Sequence, residues 1–231
     1  MRVTDEKSAR RLMNIYDLLL SRYGDPHWWP GDTPYEIIVG AVLTQNTAWS
    51  NVKKALANFG GRLSPEYVAG LDVETLAEII RPSGFFNQKA RYLQEITRWF
   101  GRYGYDAHVA RGMPLDRIRT ELLALRGVGR ETADDILLYA FQFSTFVVDA
   151  YTKRLTERLR IPAGNDYESV KTFFEERLPC DEKLFNRYHA LIVLNAKEHC
   201  RKKPICSGCP LEGVCIGAIR ASNGGDAVKS L

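Results

Sequence analysis

The sequence lacks any apolar run of about 18 residues, the length a membrane-spanning helix requires. Its opening residues, Met1-Arg2-Val3-Thr4-Asp5-Glu6-Lys7, lack the apolar core of a secretion signal. These absences give the expectation of a cytoplasmic protein with no membrane partner. Cysteine is scarce and unevenly placed: there are five in 231 residues, and four fall between positions 200 and 215. A disulfide framework does not suit a reducing compartment, so the crowded four read first as a metal site. Strand patterning is nearly missing too, since alternation at period two is sustained only over residues 143–148. No internal repeat is present.

What remains is a globular composition, 45% hydrophobic and 26% charged, in a chain long enough for one large domain or two small ones. The formal net charge is +4, which permits a polyanionic partner without requiring one. Apolar residues recur at helical spacing over 5–23, 35–44, 47–59, 73–80, 88–103, 115–125, 131–141, 150–159, 168–178 and 182–197. The expected fold class is therefore all-α. A break near residues 147–151 separates two halves, and the tail 218–231, which includes Ser222-Asn223-Gly224-Gly225-Asp226, reads as loose.

Gly127-Val128-Gly129 lies between two of these helical stretches, flanked by Arg126 and Arg130. Two glycines around one apolar residue make a tight turn, with Val128 free to bury and the amides at the next helix start pointing outward. Uncapped amides at a helix N-terminus attract anions, so a DNA phosphate fits. An ordinary helix connection fits the same residues. Lys89 and Arg91 follow the Gly84 turn and are further candidates for phosphate contact, against a plain solvated helix face.

Cys200, Cys206, Cys209 and Cys215 have the spacing C-x5-C-x2-C-x5-C. One compact loop with wide outer spacing suits a [4Fe–4S] cube better than zinc, which usually takes closer pairs; zinc is the alternative. Arg201, Lys197, Lys202 and Lys203 make the loop basic. Cys180 stands apart and reads as an ordinary thiol.

The hairpin, the run Phe146-Val147-Val148-Asp149-Ala150-Tyr151 and the cysteine loop occur together and in order. In this the chain resembles the endonuclease III superfamily of base-excision repair glycosylases, over about residues 30 to 217. The resemblance implies two helical domains with a DNA-binding cleft between them. Residues 33–148 would form a six-helix barrel with the helix-hairpin-helix. Residues 1–32 with 149–217 would form the iron–sulfur domain. It implies a monomer that binds double-stranded DNA carrying a damaged base, associated with the nucleoid. Asp149 takes the place of the catalytic aspartate, Gly127 to Gly129 that of the phosphate hairpin, and Gln45 that of a residue filling the gap left by a flipped base. The four cysteines would hold the [4Fe–4S] cluster, although their first spacing is one residue shorter than in endonuclease III.

One departure matters more. Glu131 stands where endonuclease III carries its nucleophilic lysine. A carboxylate forms no Schiff base, so a monofunctional glycosylase with weak or absent lyase activity is expected. Within the superfamily the segments Trp28-Trp29-Pro30, Leu43-Thr44-Gln45-Asn46-Thr47, residues 81–90 and residues 129–134 resemble the 3-methyladenine glycosylases, some of which lack the cluster. The expected substrate is thus an alkylated purine. Trp28, Trp29 and Trp49 are candidate pocket walls, because an indole face attracts a cationic base. Their alternative is core packing. Asp149 would stabilise positive charge on the sugar and activate water, and as the residue before a helix it is also a candidate N-cap. Glu131 is a first-turn helix residue that could position water. Two other functions compete: a bifunctional lyase acting on oxidised pyrimidines through another amine such as Lys153, and a DNA-damage binding protein without catalysis.

Overall fold

The computed structural model describes residues 3–28 and 31–216. Twelve α-helices are assigned among them: α1 (Val3–Tyr23), α2 (Pro34–Leu43), α3 (Trp49–Ala57), α4 (Pro65–Ala69), α5 (Val73–Ile79), α6 (Phe86–Gly101), α7 (Ala107–Arg111), α8 (Leu115–Leu123), α9 (Arg130–Asp135), α10 (Ala150–Leu159), α11 (Tyr167–Glu175) and α12 (Glu182–Glu198). No strand occurs among the described residues. No helix there is long and apolar enough to cross a membrane.

Local chemistry sets the helix starts. Thr33 accepts the Glu36 N–H at 3.1 Å, and Pro34 follows at the first helical position, where its missing N–H costs nothing. Asp149, Asp166 and Asp181 cap α10, α11 and α12 in the same way. The short helices α4 and α7, absent from the periodicity reading, start at the caps Ser64 and Asp106. Residues 131–141 were expected as one regular helix. Instead α9 runs into a wider π turn over Ile136–Ala140, closed by the Phe141 N–H on the Ile136 carbonyl at 3.1 Å.

The chain separates into two compact units, Trp29–Thr145 and Met1–Trp28 with Phe146–Leu231. The division falls three residues before the expected end at 148, because Phe146 belongs to the second unit. Its ring stacks on Phe174 at 4.3 Å between centroids, and its N–H donates to Glu175 at 2.8 Å. The tail 218–231 lies outside the described residues.

In the unit 29–145 the core gathers around α6, whose Leu93, Ile96, Trp99 and Phe100 are buried. Trp99 and Phe100 pack on Phe141, with centroids 6.1 and 5.8 Å away. In the other unit α1 packs on α12, and the Tyr188 hydroxyl donates to the Leu12 carbonyl at 2.8 Å. Each such ring contributes about 1.5–3 kcal/mol by leaving water.

Candidate functional site

The hairpin between α8 and α9 is built from contacts that the sequence does not announce. Gly127 has φ +83, and a Cβ there would lie 2.2 Å from the Tyr92 ring. Tyr92 therefore occupies the space that only a glycine leaves. Val128 is buried, as its apolar side chain predicts. Gly129 caps α9 with no side-chain hydrogen bond, so nothing on the cap competes for the amides of the first turn. Arg130 and Glu131 follow, both exposed. Behind them Asp134 is fully buried and meets Arg119 of α8 through two bonds of 2.8 and 3.1 Å. That bidentate pair ties α8 to α9.

Gln45 joins this hairpin. Its Nε2 donates to the Gly127 carbonyl at 2.9 Å and to Thr132 Oγ1 at 3.0 Å. The turn carrying it is tight, with Asn46 at φ +54. Lys89 requires a correction. It is 2% exposed, and its Nζ donates to the carbonyls of Leu43 and Ser83, each at 2.8 Å. Burial lowers its pKa to about 8. With its ammonium turned inward between two backbone segments, Lys89 is a structural clamp and not a phosphate contact. Arg91, two residues on, is exposed.

Sequence reasoning missed Phe85. It is 68% exposed, at φ +47, just before α6. A positive φ is uncommon for a bulky aromatic residue, and a ring of this size is seldom left so open to water. The signal available was the pair Phe85-Phe86 directly after Gly84. Trp49 opens α3 and is half-buried in this unit.

The other unit holds Asp149, 8% exposed at the start of α10. Its Oδ1 accepts the Thr152 N–H at 2.7 Å and the Thr152 hydroxyl at 2.9 Å. Its Oδ2 faces His189 Nε2 at 3.5 Å. Burial pushes this carboxyl up, but His189 and Thr152 outweigh it, and the net pKa is below the usual carboxylate range. Trp28 is half-buried in the same unit, with the Lys197 amine 5.5 Å from its ring centroid. Trp29 lies outside the described residues.

Cys200, Cys206, Cys209 and Cys215 line one hollow, together with Arg158, Asn195 and His199. Arg158 Nη1 donates to Cys200 Sγ at 3.1 Å, and Arg154 Nε to the Cys200 carbonyl at 2.8 Å. Burial raises the Cys206 and Cys209 thiols. No group of three His, Cys, Asp or Glu among the described residues stands ready to hold a single metal ion. Cys180 is exposed and apart from the four.

With this geometry in view, residues 39–180 match the HhH-GPD superfamily of base excision DNA repair proteins. The chain belongs to that superfamily. A protein of Methanocaldococcus jannaschii, named provisionally a DNA repair glycosylase, is 43% identical over 91% of this chain and 98% of its own length. Endonuclease III of Sulfolobus acidocaldarius is 29% identical over 78% of this chain and 81% of its own. The crystal structure of H. pylori 3-methyladenine DNA glycosylase bound to 1,N6-ethenoadenine matches with TM-score 0.71 and 30% identity, over 83% of this chain and 97% of that one. A non-covalent endonuclease III–DNA complex matches in fold with TM-score 0.78, over 93% and 98% of the two chains. The all-helical expectation is borne out by these neighbours. The chain is a base excision repair DNA glycosylase of the HhH-GPD type. Within that superfamily the hairpin is the element that gives the first half of its name, and here Gln45, Tyr92 and the Arg119–Asp134 pair hold it in shape.

Proposed function

We propose that this glycosylase is monofunctional and hydrolyses the N-glycosidic bond of an alkylated purine flipped out of duplex DNA, with Asp149 as the catalytic carboxylate. The observation that carries the reading is the state of Asp149. A carboxylate 8% exposed would ordinarily be neutralised by burial, yet its neighbours keep it ionised. An anion already in place stabilises the positive charge that develops on the sugar as the base leaves. The same carboxylate accepts a proton from the attacking water. The C1′–O bond forms, the C1′–N bond breaks, and the base departs with the bonding electron pair.

Glu131 supports the monofunctional half, since it offers no amine in the first turn of α9. The 30% identity to a 3-methyladenine glycosylase supports the substrate class. An alkylated purine carries positive charge, so its bond is weakened before it meets the enzyme, and an indole such as Trp49, Trp28 or Trp29 could stack on it. DNA phosphate is held by the α9 amides beside Arg130, and Gln45, bonded to the Gly127 carbonyl, fills the gap left by the extruded base. Base–aromatic stacking is worth about 1–3 kcal/mol, which offsets part of the flipping cost. The chain acts as a monomer.

The four cysteines suit a [4Fe–4S] cluster. A cube needs thiolates set round a hollow rather than closed on one ion, and these four share one, with an arginine on a sulfur. Bound there, the group would supply cross-linking of the loop 200–215, whose start carries Arg201, Lys202 and Lys203, and take no part in bond cleavage. Purified protein with iron and an absorbance band at about 400 nm is expected, against colourless, zinc-containing protein for the alternative.

The deciding assay incubates the protein with duplexes carrying 3-methyladenine, thymine glycol or mismatched adenine, with product analysis and borohydride trapping. Release of the methylated base without strand cleavage or a trapped adduct is expected. Release of thymine glycol with strand cleavage, and none of the methylated base, overturns the reading. A protein that binds these duplexes and releases nothing would be a damage-binding protein.

A further inference from the structure

Asp149 uses its two oxygens differently. Oδ1 takes both donors of Thr152, the N–H and the hydroxyl, and so serves the start of α10. An ionised carboxylate oxygen accepts about two hydrogen bonds, so Oδ1 is filled. Oδ2 is left for chemistry, and what faces it is the imidazole of His189 on α12. His189 is 4% exposed, and its helix neighbours Tyr188, Ala190, Leu191 and Ile192 are all buried. Other titratable groups nearby are committed elsewhere. The Tyr188 hydroxyl donates to the Leu12 carbonyl, the Tyr167 hydroxyl of α11 accepts the Val148 N–H at 3.4 Å, and Arg154 of α10 holds the Cys200 carbonyl. Lys153 lines a separate hollow with Thr156, Glu157 and Arg160. Among the groups around Asp149, His189 is the one that most lowers the carboxyl's pKa against burial.

We propose that His189 is a positioning residue for Asp149: its imidazole sets the plane of the carboxylate and holds Oδ2 as the reactive anion. The inference rests on Asp149 being the catalytic carboxylate. Thr152 alone leaves the carboxylate free to swing about its filled oxygen, and a second contact on Oδ2 removes that freedom. Placement of this kind governs rate more than affinity, because misplacing a catalytic group by about 1 Å costs about 10²-fold.

The test compares His189→Gln, which keeps an N–H donor but no charge, with His189→Leu, which keeps neither. Single-turnover rates on lesion DNA are measured across pH, with DNA affinity and thermal midpoint recorded separately. His189→Leu should lower the rate at neutral pH by about 10²-fold while leaving affinity within about twofold. His189→Gln should recover part of the rate. In both variants the acid limb of the pH profile should move to higher pH, because the imidazole that lowers the Asp149 pKa is gone. If His189→Leu does not fold, the limb in His189→Gln decides alone. Wild-type rates and an unmoved limb in the folded variants overturn the proposal. Asp149→Asn is the control that separates the two claims. If Asp149→Asn keeps wild-type rates, the catalytic reading itself fails. An inactive Asp149→Asn beside unaffected His189 variants sinks only the role of His189.

Discussion

Replacing Lys89 with methionine gives a prediction with two opposing magnitudes. The Lys89 ammonium donates to the carbonyls of Leu43 and Ser83, each at 2.8 Å. Losing two bonds from a charged donor costs about 3–6 kcal/mol, taking about 1.5–3 for each. Against this, the charge is held out of water, and burial lowers its pKa to about 8. The unfolded value is about 10.4, and the difference corresponds to about 3 kcal/mol of destabilisation at pH 7 that methionine removes. The net expectation at pH 7 is a loss of about 0–3 kcal/mol. The sign of the pH dependence is sharper than the size. Between pH 8 and about 10.4 the unfolded chain holds a proton at Lys89 that the folded chain has released, so wild-type stability rises with pH through that window. Methionine has no such linkage. Urea unfolding of both proteins at pH 7 and 9 should show the gap between them widening by about 1 kcal/mol at the higher pH. A gap that stays constant or narrows refutes the claim that Lys89 is a desolvated clamp. The clamp matters for function because Leu43 leads into the turn of Gln45 and Ser83 into that of Phe85, so the variant should also weaken binding to lesion DNA.

Gly127→Ala puts a Cβ 2.2 Å from the Tyr92 ring at φ +83. The left-handed backbone alone costs about 1–2 kcal/mol, so a lower thermal midpoint and weaker, less salt-dependent DNA binding are expected. Unchanged affinity would remove the hairpin from the DNA contact. Arg119→Met leaves the fully buried Asp134 without its bidentate partner and should cost about 3–5 kcal/mol in chemical unfolding. A loss below about 1 kcal/mol would show that the pair adds nothing beyond a surface contact. Cys200→Ser should lower iron content and the band at about 400 nm, whereas Cys180→Ser, at an exposed thiol outside the hollow, should leave both unchanged.

Much of the fold was legible because most helices are long enough to show their period and begin at Ser, Thr or Asp caps. The five-residue helices α4 and α7 were not, since a single turn has no period and only Ser64 and Asp106 marked them. The π turn after Asp135 was hidden for another reason: Ile136 to Ala140 are buried all round, so no polar face sets their winding. Lys89 was misjudged although a signal existed. Lys89, Leu93, Ile96 and Phe100 share the buried face of α6, and a lysine in that series faces inward. His189 has the same signature with Phe185, Ile192 and Val193 on α12. The Arg119–Asp134 pair had none, because fifteen positions of separation across a turn say nothing about a contact.

Glu131 and Asp149 make the limit of residue-type reasoning concrete. Both are carboxylates at the start of a helix, where the helix dipole favours negative charge. Glu131 is exposed, so water screens its charge. Asp149 is enclosed, so each neighbour acts on it through a medium of low dielectric, and a histidine at 3.5 Å together with the Thr152 donors outweighs the cost of burial. The chemistry proposed for this chain follows from that difference in surroundings. In the proposed mechanism an exposed glutamate stands in place of the amine that would attack the sugar, and an enclosed aspartate keeps the charge that water-mediated hydrolysis needs.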